Sequence, residues 1–193
     1  MSEDAFFAKG KRSKVYLTCY EGKKAVRKIA GPKFVDNLRN EAYWLVVLNK
    51  NRIGPKLFCF GNDFIVMEFV QGLRILDFFD TSGKKNILGI IKGVLLQCKK
   101  LDSLGVNKEE LTNPYKHIIV RKNKPVMIDF ERCRNTESPK NVTQFVQFLT
   151  SRRVSSLLEK KKIKVDVKKF RSAAKRYKAS HNLQEILSLV HSL

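Results

Sequence analysis

The kinds of structural element that the sequence predicts change at Gln71-Gly72. Before this point, runs of β-branched and aromatic residues are separated by short turn signals, a pattern typical of antiparallel strands. One segment, Val35–Leu48, instead carries apolar residues at helical spacing. The predicted strands are Lys14–Tyr20, Lys24–Ile29, Leu57–Phe60 and Phe64–Phe69.

The part that follows Gln71-Gly72 is predominantly helical, with one small hairpin. The strongest helix signal covers Asn86–Leu104, and Gly105 provides its C-terminal cap. The hairpin joins His117–Val120 to Val126–Ile128. Three further helices are predicted: one from Asn141, capped by Asn141 and Gln144, to about Leu158, then Lys168–Ala179 and Asn182–Leu193. We therefore predict an α+β protein with a strand-rich part at 1–70 and a helical part at 71–193.

Composition limits the classes of protein that fit this chain. With 193 residues and 43% hydrophobic content, it has enough apolar material for one substantial core or for two small lobes. The longest apolar run, Ile87–Cys98, is interrupted by Lys92 and is too short to span a bilayer. We expect no signal peptide, because the first residues contain no apolar run behind a basic segment, and the four scattered cysteines lack zinc-site spacing. We expect a cytoplasmic protein with buried free thiols.

The most unusual compositional feature is the formal net charge of +21, from 39 Lys and Arg against 18 acidic residues. The segment Arg152–Lys178 alone holds twelve basic and two acidic residues. The basic residues of Lys160–Lys178 suit the phosphate backbone of RNA or of a ribonucleoprotein. A merely solvated face is the alternative, and a membrane contact is disfavoured because no lipidation motif accompanies it. Phe170 is spaced to face the core.

Three segments of the first part contain candidate nucleotide ligands. The turn Ala8–Val15, with Gly10 and Ser13, could place backbone N–H groups over phosphates, although an ordinary basic turn would have the same composition. The segment Ala25–Lys28 matches the V-A-I-K strand, whose lysine binds phosphates. Glu41, on the following helix, could pair with Lys28 or could simply be a surface residue.

A fourth segment supplies a candidate metal ligand. Val126–Glu131 is an apolar strand that ends in Asp129, and an aspartate in this position can reach a magnesium ion that bridges phosphates. A turn-capping aspartate is the alternative. Upstream, Glu110 lies in a loop after the long helix, where it could orient an attacking hydroxyl. His117 stands where an Asn metal ligand would be expected.

Taken in order, these segments resemble the small predicted serine/threonine kinases found mainly in archaea, which are distant relatives of the RIO and Bud32 atypical kinases. The resemblance runs from Gly10 to about Leu158. It is carried by the segments Gly10–Leu17, Asn40–Ala42, Ile53–Leu57, Ile65–Phe69, Leu104–Leu111, Pro114–Val120, Ile128–Glu131 and Pro139–Thr143.

The resemblance implies a two-lobed, minimal protein-kinase-like fold that binds ATP between an antiparallel-sheet lobe and a helical lobe. It implies that Lys28 and Asp129 are catalytic together with Glu110, and that Asp129 and His117 hold Mg²⁺ or Mn²⁺. The implied nucleotide contacts are Gly10, Ser13, Val15, Lys28, Glu41, Glu68 and Val70, of which Glu68 and Val70, with Phe69, offer backbone groups to adenine.

The sequence also departs from the family pattern at functional positions. Lys108 replaces the histidine of the H-G-E-L loop, and Glu131 replaces the glycine of Asp-Phe-Gly. Only nine residues separate Glu131 from Asn141, too few for a long activation segment. Three functions therefore stay open: a protein Ser/Thr kinase, a catalytically weak nucleotide-sensing or RNA-docking pseudokinase, and a small-molecule kinase.

Overall fold

A computed structural model describes residues 4–193, which divide into two compact units. The first unit comprises the chain up to Gln71 together with Val126–Cys133, and the second comprises Gly72–Pro125 and Arg134–Leu193. The segment that contains Asp129 is thus part of the first unit, although the sequence-based division into 1–70 and 71–193 assigned it to the helical part.

The first unit is built on a five-stranded antiparallel sheet. Its strands are β1 (Ala5–Lys9), β2 (Ser13–Tyr20), β3 (Lys23–Ala30), β4 (Leu57–Phe60) and β5 (Phe64–Glu68), in the order β1-β2-β3-β5-β4. Glu21 and Gly22 both have positive φ, which suits the tight turn between β2 and β3. The sheet confirms the predicted α+β class. Strand β1 was not predicted, because all five of its residues are exposed and show no alternation.

Helix α1 (Val35–Asn49) joins β3 to β4. Its buried residues recur at helical spacing, as the sequence predicts, and they include one charged side chain, Glu41. The buried set is Leu38, Glu41, Ala42, Trp44, Leu45 and Leu48.

The second unit is mainly helical. Its elements are β6 (Leu73–Arg74), α2 (Ile75–Thr81), α3 (Lys84–Ser103), β7 (Val106–Asn107), β8 (Ile118–Arg121), β10 (Arg134–Asn135), α4 (Asn141–Leu149), α5 (Arg152–Lys160), α6 (Val167–Ser180) and α7 (Gln184–His191). Strand β9 (Lys124–Met127) follows β8 over a turn at Lys122-Asn123, where both residues have positive φ. Among residues 4–193, no helix combines the length and apolarity needed to cross a membrane.

The predicted helix from Asn141 to Leu158 is in fact two helices. Helix α4 ends at Leu149, and Ser151 adopts extended geometry as the N-cap of α5. The hydroxyl of Thr150 donates to the carbonyl of Val146 at 3.0 Å, and that of Ser151 to the carbonyl of Phe148 at 2.7 Å. Such local hydroxyl bonds compete with helix continuation, and apolar periodicity alone does not reveal them.

The predicted capping pair at the start of α4 was wrong. Lys140 is the N-cap, and its own side chain forms no capping bond. The carboxylate of Asp102, from α3, instead accepts the backbone N–H groups of Asn141 at 3.0 Å and Val142 at 3.3 Å. The side-chain amide of Asn141 donates to Asp102 Oδ1 at 2.6 Å, and the hydroxyl of Tyr177 donates to Asp102 Oδ2 at 2.8 Å. A capping partner 39 residues away is invisible to a local motif.

The predicted free thiols are confirmed, but only two of them are buried. All four cysteines are free; Cys98 and Cys133 are buried, Cys59 is intermediate and Cys19 is exposed.

Tyr177 gives the second unit a testable pH dependence. Burial, together with its hydrogen bond to Asp102, raises the pKa of Tyr177 above its ordinary value. The unfolded chain therefore releases this proton near pH 10 while the folded chain keeps it. Stability should fall as pH rises above 10, by at most about 1.4 kcal/mol per pH unit from this group.

The test compares wild type with Tyr177→Phe by urea unfolding from pH 9 to pH 11. The lysines titrate in both proteins, so the difference between the two unfolding free energies isolates the contribution of Tyr177. At pH 9 we expect the wild type to be more stable than Tyr177→Phe by about 1 kcal/mol, because the variant lacks the hydrogen bond to Asp102. Its advantage should shrink as pH rises. Parallel pH profiles for the two proteins would contradict the assignment.

Candidate functional site

The candidate site of the first unit is centred on the ammonium group of Lys28. Lys28 lies on β3 with only 8% of its surface exposed. Its Nζ is 2.6 Å from Glu41 Oε2, 3.2 Å from Asp129 Oδ1 and 3.4 Å from Glu131 Oε2. The structure therefore brings together three residues that the sequence selected, Lys28, Glu41 and Asp129, and adds Glu131.

Glu41 connects α1 to both the lysine and the loop that carries Asp129. The residue is fully buried, and its second carboxylate oxygen, Oε1, accepts the backbone N–H of Phe130 at 3.3 Å. A buried carboxylate needs an ion pair and hydrogen bonds to compensate its desolvation, and Lys28 and Phe130 provide both. The surface-residue alternative for Glu41 is thereby wrong.

The loop after β9 holds Asp129 in an unusual backbone conformation. Asp129 has φ of +64°, in the left-handed region, which few residues other than glycine adopt and where aspartate is among the better tolerated. Phe130 is fully buried. A Cβ on Gly54 would lie 2.8 Å from the Phe130 ring, so only glycine at position 54 leaves room for it.

Two side chains of α1 that the sequence reasoning did not assign to the site fix the rest of this loop. Asn40 Nδ2 donates to the carbonyls of Glu131 and Cys133, each at 3.0 Å. The indole N–H of Trp44 donates to the same Cys133 carbonyl at 2.8 Å. Their spacing is the signal that could have identified them, because Trp44 lies three residues after Glu41 and four after Asn40, and residues at these spacings are neighbours on a helix surface.

The carboxylates determine the charge state of Lys28. Burial by itself would lower the pKa of Lys28, but the negative charges of Glu41, Asp129 and Glu131 outweigh it, and the pKa is raised. Burial raises the pKa of Glu41, and the charge of Lys28 opposes this shift. Lys28 is therefore a fixed positive charge at neutral pH.

The three carboxylates form a donor set for a divalent cation. One oxygen from each of Glu41, Asp129 and Glu131 lies within 4.8 Å of the others. Oxygen donors of this kind suit the hard cations Mg²⁺ and Mn²⁺. One third of the Asp129 side chain is exposed, whereas that of Glu41 is almost completely covered, so Asp129 is the ligand that solvent reaches most easily. The residues present fit a magnesium or manganese ion.

The glycine-containing turn approaches the same cluster through Arg12, which the sequence reasoning did not single out. Arg12 Nη1 is 2.6 Å from Glu131 Oε1. The turn is closed by the N–H of Gly10, which donates to the carbonyl of Ser13 at 2.9 Å. Val15 pairs directly with Lys28 in the β2–β3 register. Ser13 and Val15 thus belong to the strand pair that carries Lys28, and Gly10 lies in the turn that precedes it.

The three residues expected to offer backbone groups to adenine, Glu68, Phe69 and Val70, lie at and after the end of β5. Glu68 is the last residue of β5, and Val70 is buried two residues later. The backbone N–H of Glu68 donates to the carbonyl of Lys56 at 2.8 Å, and that of Phe69 to the carbonyl of Lys24 at 3.3 Å. These two amides are already used within the sheet.

Two of the predicted site residues, Glu110 and His117, belong to the second unit. Glu110 lies in the short 3₁₀ helix Glu109–Thr112, with Oε2 3.7 Å from Nζ of the fully buried Lys108. The backbone N–H of Lys108 donates to Asn141 Oδ1 at 2.8 Å, which fixes the start of this loop. His117 follows a second 3₁₀ helix, Pro114–Lys116, and the backbone N–H of His117 donates to the carbonyl of Pro114 at 2.9 Å.

The fold and the buried cluster define an α+β protein whose antiparallel sheet carries a lysine enclosed by carboxylates. No known family model matches the chain. The uncharacterized protein MJ1211 of Methanocaldococcus jannaschii is 30% identical over 115 residues, which are 58% of this chain and 98% of that protein. The chain therefore belongs to the same family as MJ1211.

The buried ion pair can be tested by a double-mutant cycle. Lys28→Met leaves the Glu41 carboxylate buried without its cation, and we expect a loss of about 3 to 5 kcal/mol in unfolding free energy. Glu41→Gln should cost less in the Lys28→Met background than in wild type, because no cation is then left unpaired. Urea unfolding of the four proteins gives the coupling energy.

A matched control cycle uses the exposed pair Arg39–Asp36, whose atoms lie 3.4 Å apart and whose aspartate side chain is 96% exposed. The variants Arg39→Met and Asp36→Asn should couple by less than about 1 kcal/mol. If the two cycles gave equal coupling energies, Lys28 and Glu41 would not form the buried pair described above.

Proposed function

We propose that this protein is an atypical kinase that transfers the γ-phosphate of ATP to a serine or threonine hydroxyl of a protein. The observation that carries the proposal is the Lys28–Glu41 pair at 2.6 Å, with Asp129 at 3.2 Å from the same ammonium group. A strand lysine, a helix glutamate and a loop aspartate are the three groups that kinases use to bind phosphates and metal. The resemblance to the archaeal kinases and a minimal kinase-like fold are part of this proposal.

Each residue of the cluster has a distinct role in the proposed reaction. Lys28, which keeps its positive charge, would hold the phosphates, while Glu41 keeps the ammonium group in place. Asp129 would hold Mg²⁺ or Mn²⁺, which neutralises charge that develops on the phosphates. Phosphates would replace the longer contacts of Lys28, those with Asp129 and Glu131, and leave the short contact with Glu41 intact.

The groups that act on the hydroxyl would come from the second unit. Glu110 would orient the acceptor hydroxyl and accept its proton, and His117 would contribute to the metal site. Both roles follow from the resemblance. The support in the structure is local: the loop that carries Glu110 is anchored by the Lys108–Asn141 hydrogen bond and by the buried Lys108 side chain.

A pseudokinase that binds nucleotide without rapid turnover is the second candidate, and one observation favours it. Glu131, which stands where kinases have a flexible glycine, bonds to both Arg12 and Lys28. These contacts restrain the loop that carries Asp129 and occupy the cations that phosphates would need. A small-molecule kinase is a third candidate, because few residues separate Glu131 from α4 and leave little room for a peptide-holding segment.

Binding of ATP can be measured without knowledge of the acceptor. At a hundredfold excess over its dissociation constant, a ligand adds about 2.7 kcal/mol to stability. We expect ATP with Mg²⁺ or Mn²⁺ to raise the melting temperature of wild type but not of Asp129→Asn. Asparagine tolerates positive φ and therefore preserves the loop backbone better than alanine would.

The control for this experiment is Asp36→Asn, the same change at an exposed position, which should respond to ATP as wild type does. If ATP stabilised Asp129→Asn as strongly as wild type, the proposed metal site would be wrong. If it stabilised neither wild type nor the control, the proposed function would be wrong.

Transfer of radiolabel from γ-labelled ATP separates the three candidate functions. We expect label on protein hydroxyls, and a loss of at least about a hundredfold in rate for Glu110→Gln, in the range of a general-base contribution. The ATP-dependent rise in melting temperature should persist in this variant. Label on a small acceptor would instead indicate a small-molecule kinase, and binding without any transfer would indicate a pseudokinase.

A further inference from the structure

The basic residues of α6 are divided between two faces of the helix. Four of them, at steps of three, four and three residues, share one side and form a stripe about 15 Å long. We call this the basic stripe; it consists of Lys168, Arg171, Lys175 and Lys178, all exposed. The remaining two, Lys169 and Arg176, lie on another side.

Acidic partners are present on only one of these faces. Arg176 pairs with Glu185, with Nε 2.8 Å from Oε2, and Lys169 Nζ is 3.9 Å from Asp166. Within residues 4–193, the four residues of the basic stripe form no ion pair. The positive charge of the stripe is therefore uncompensated, whereas that of the other face is largely balanced.

The basic stripe is unfavourable for the helix that carries it. Like charges three or four residues apart repel one another on a helix surface. Lys168 also lies in the first turn, where the helix dipole disfavours positive charge. The same holds for Arg152 and Arg153 at the start of α5, where the first turn contains no acidic residue. Folding does not explain these charges, but a polyanionic ligand would.

The buried face of α6 narrows the class of ligand. Its aromatic and small residues, Phe170, Ala173, Ala174 and Tyr177, are all packed in the core. The burial of Phe170 confirms the expectation from sequence. The helix therefore offers no aromatic ring for base stacking and no apolar face for insertion into a bilayer. The ligand that best matches the basic stripe is therefore a polymer with regularly spaced negative charges along its backbone.

We infer that the basic stripe of α6 binds the phosphate backbone of structured RNA without reading its sequence. Each lysine or arginine neutralises about one phosphate and releases its counterions. The exposed lysines of the preceding segment, Lys160, Lys162 and Lys164, extend the positive surface along the chain. This interaction is independent of the kinase reaction proposed above.

The two faces of α6 provide a matched pair of variants. Arg171→Gln/Lys175→Gln removes one arginine and one lysine from the basic stripe, and Lys169→Gln/Arg176→Gln removes the same two residue types from the compensated face. Both variants have the same net charge, so a difference between them reports position and not total charge. Binding to a fluorescently labelled RNA hairpin is measured by fluorescence anisotropy at several salt concentrations between about 50 and 200 mM.

We expect the stripe variant to bind at least about tenfold more weakly than wild type at 0.1 M salt. Its plot of log affinity against log salt concentration should be less steep by about 1.4 to 1.8, the contribution of two phosphates. The RNA affinity of the control variant, Lys169→Gln/Arg176→Gln, should stay within about threefold of that of wild type. The melting temperature of the stripe variant should not fall, because the substitutions remove a repulsion, so its weaker binding does not reflect unfolding.

Three results would overturn the inference. Equal losses in the two variants would show that the overall charge, not the stripe, binds RNA. Salt-independent binding by wild type would show that phosphate contacts do not drive it. Tighter, stripe-dependent binding to phosphatidylserine vesicles than to the RNA hairpin would identify a membrane surface as the ligand instead.

Discussion

The first unit depends on a buried ion pair between β3 and α1. Lys28 and Glu41 each require the other, because either charge alone would be strongly destabilising at this depth. The pair also fixes the loop that carries Asp129, since Glu41 bonds to the backbone of Phe130 and Lys28 bonds to the Asp129 carboxylate. One interaction thus joins sheet, helix and loop, and the candidate chemistry is located where these three meet.

A buried carboxylate organises the second unit in a comparable way. Asp102 accepts hydrogen bonds from the start of α4 and from Tyr177 on α6, so one side chain of α3 joins three helices. Asn141, held by Asp102, in turn accepts the backbone N–H of Lys108 at the head of the Glu110 loop. In both units, a buried acid fixes the loop on which a proposed catalytic residue lies.

The distribution of charge distinguishes the two surfaces for which functions are proposed. In the cluster around Lys28, both cations, Lys28 and Arg12, pair with carboxylates. On α6, the basic stripe has no acidic partner within the described residues 4–193, which is the basis of the inferred RNA contact. A formal net charge of +21 alone does not distinguish these cases, because only the structure shows which charges are paired.

Local periodicity and motif spacing are sufficient to predict the α+β class, most of the larger elements and the candidates Lys28, Glu41 and Asp129. These local signals do not reveal β1, the break between α4 and α5, or the partners Arg12, Asn40 and Trp44. Strand β1 shows no alternation of apolar and polar residues and is exposed throughout, and the break depends on hydroxyl bonds to the backbone. The partners act across separations of 89 to 119 residues, and only the tertiary structure brings such side chains within hydrogen-bonding distance.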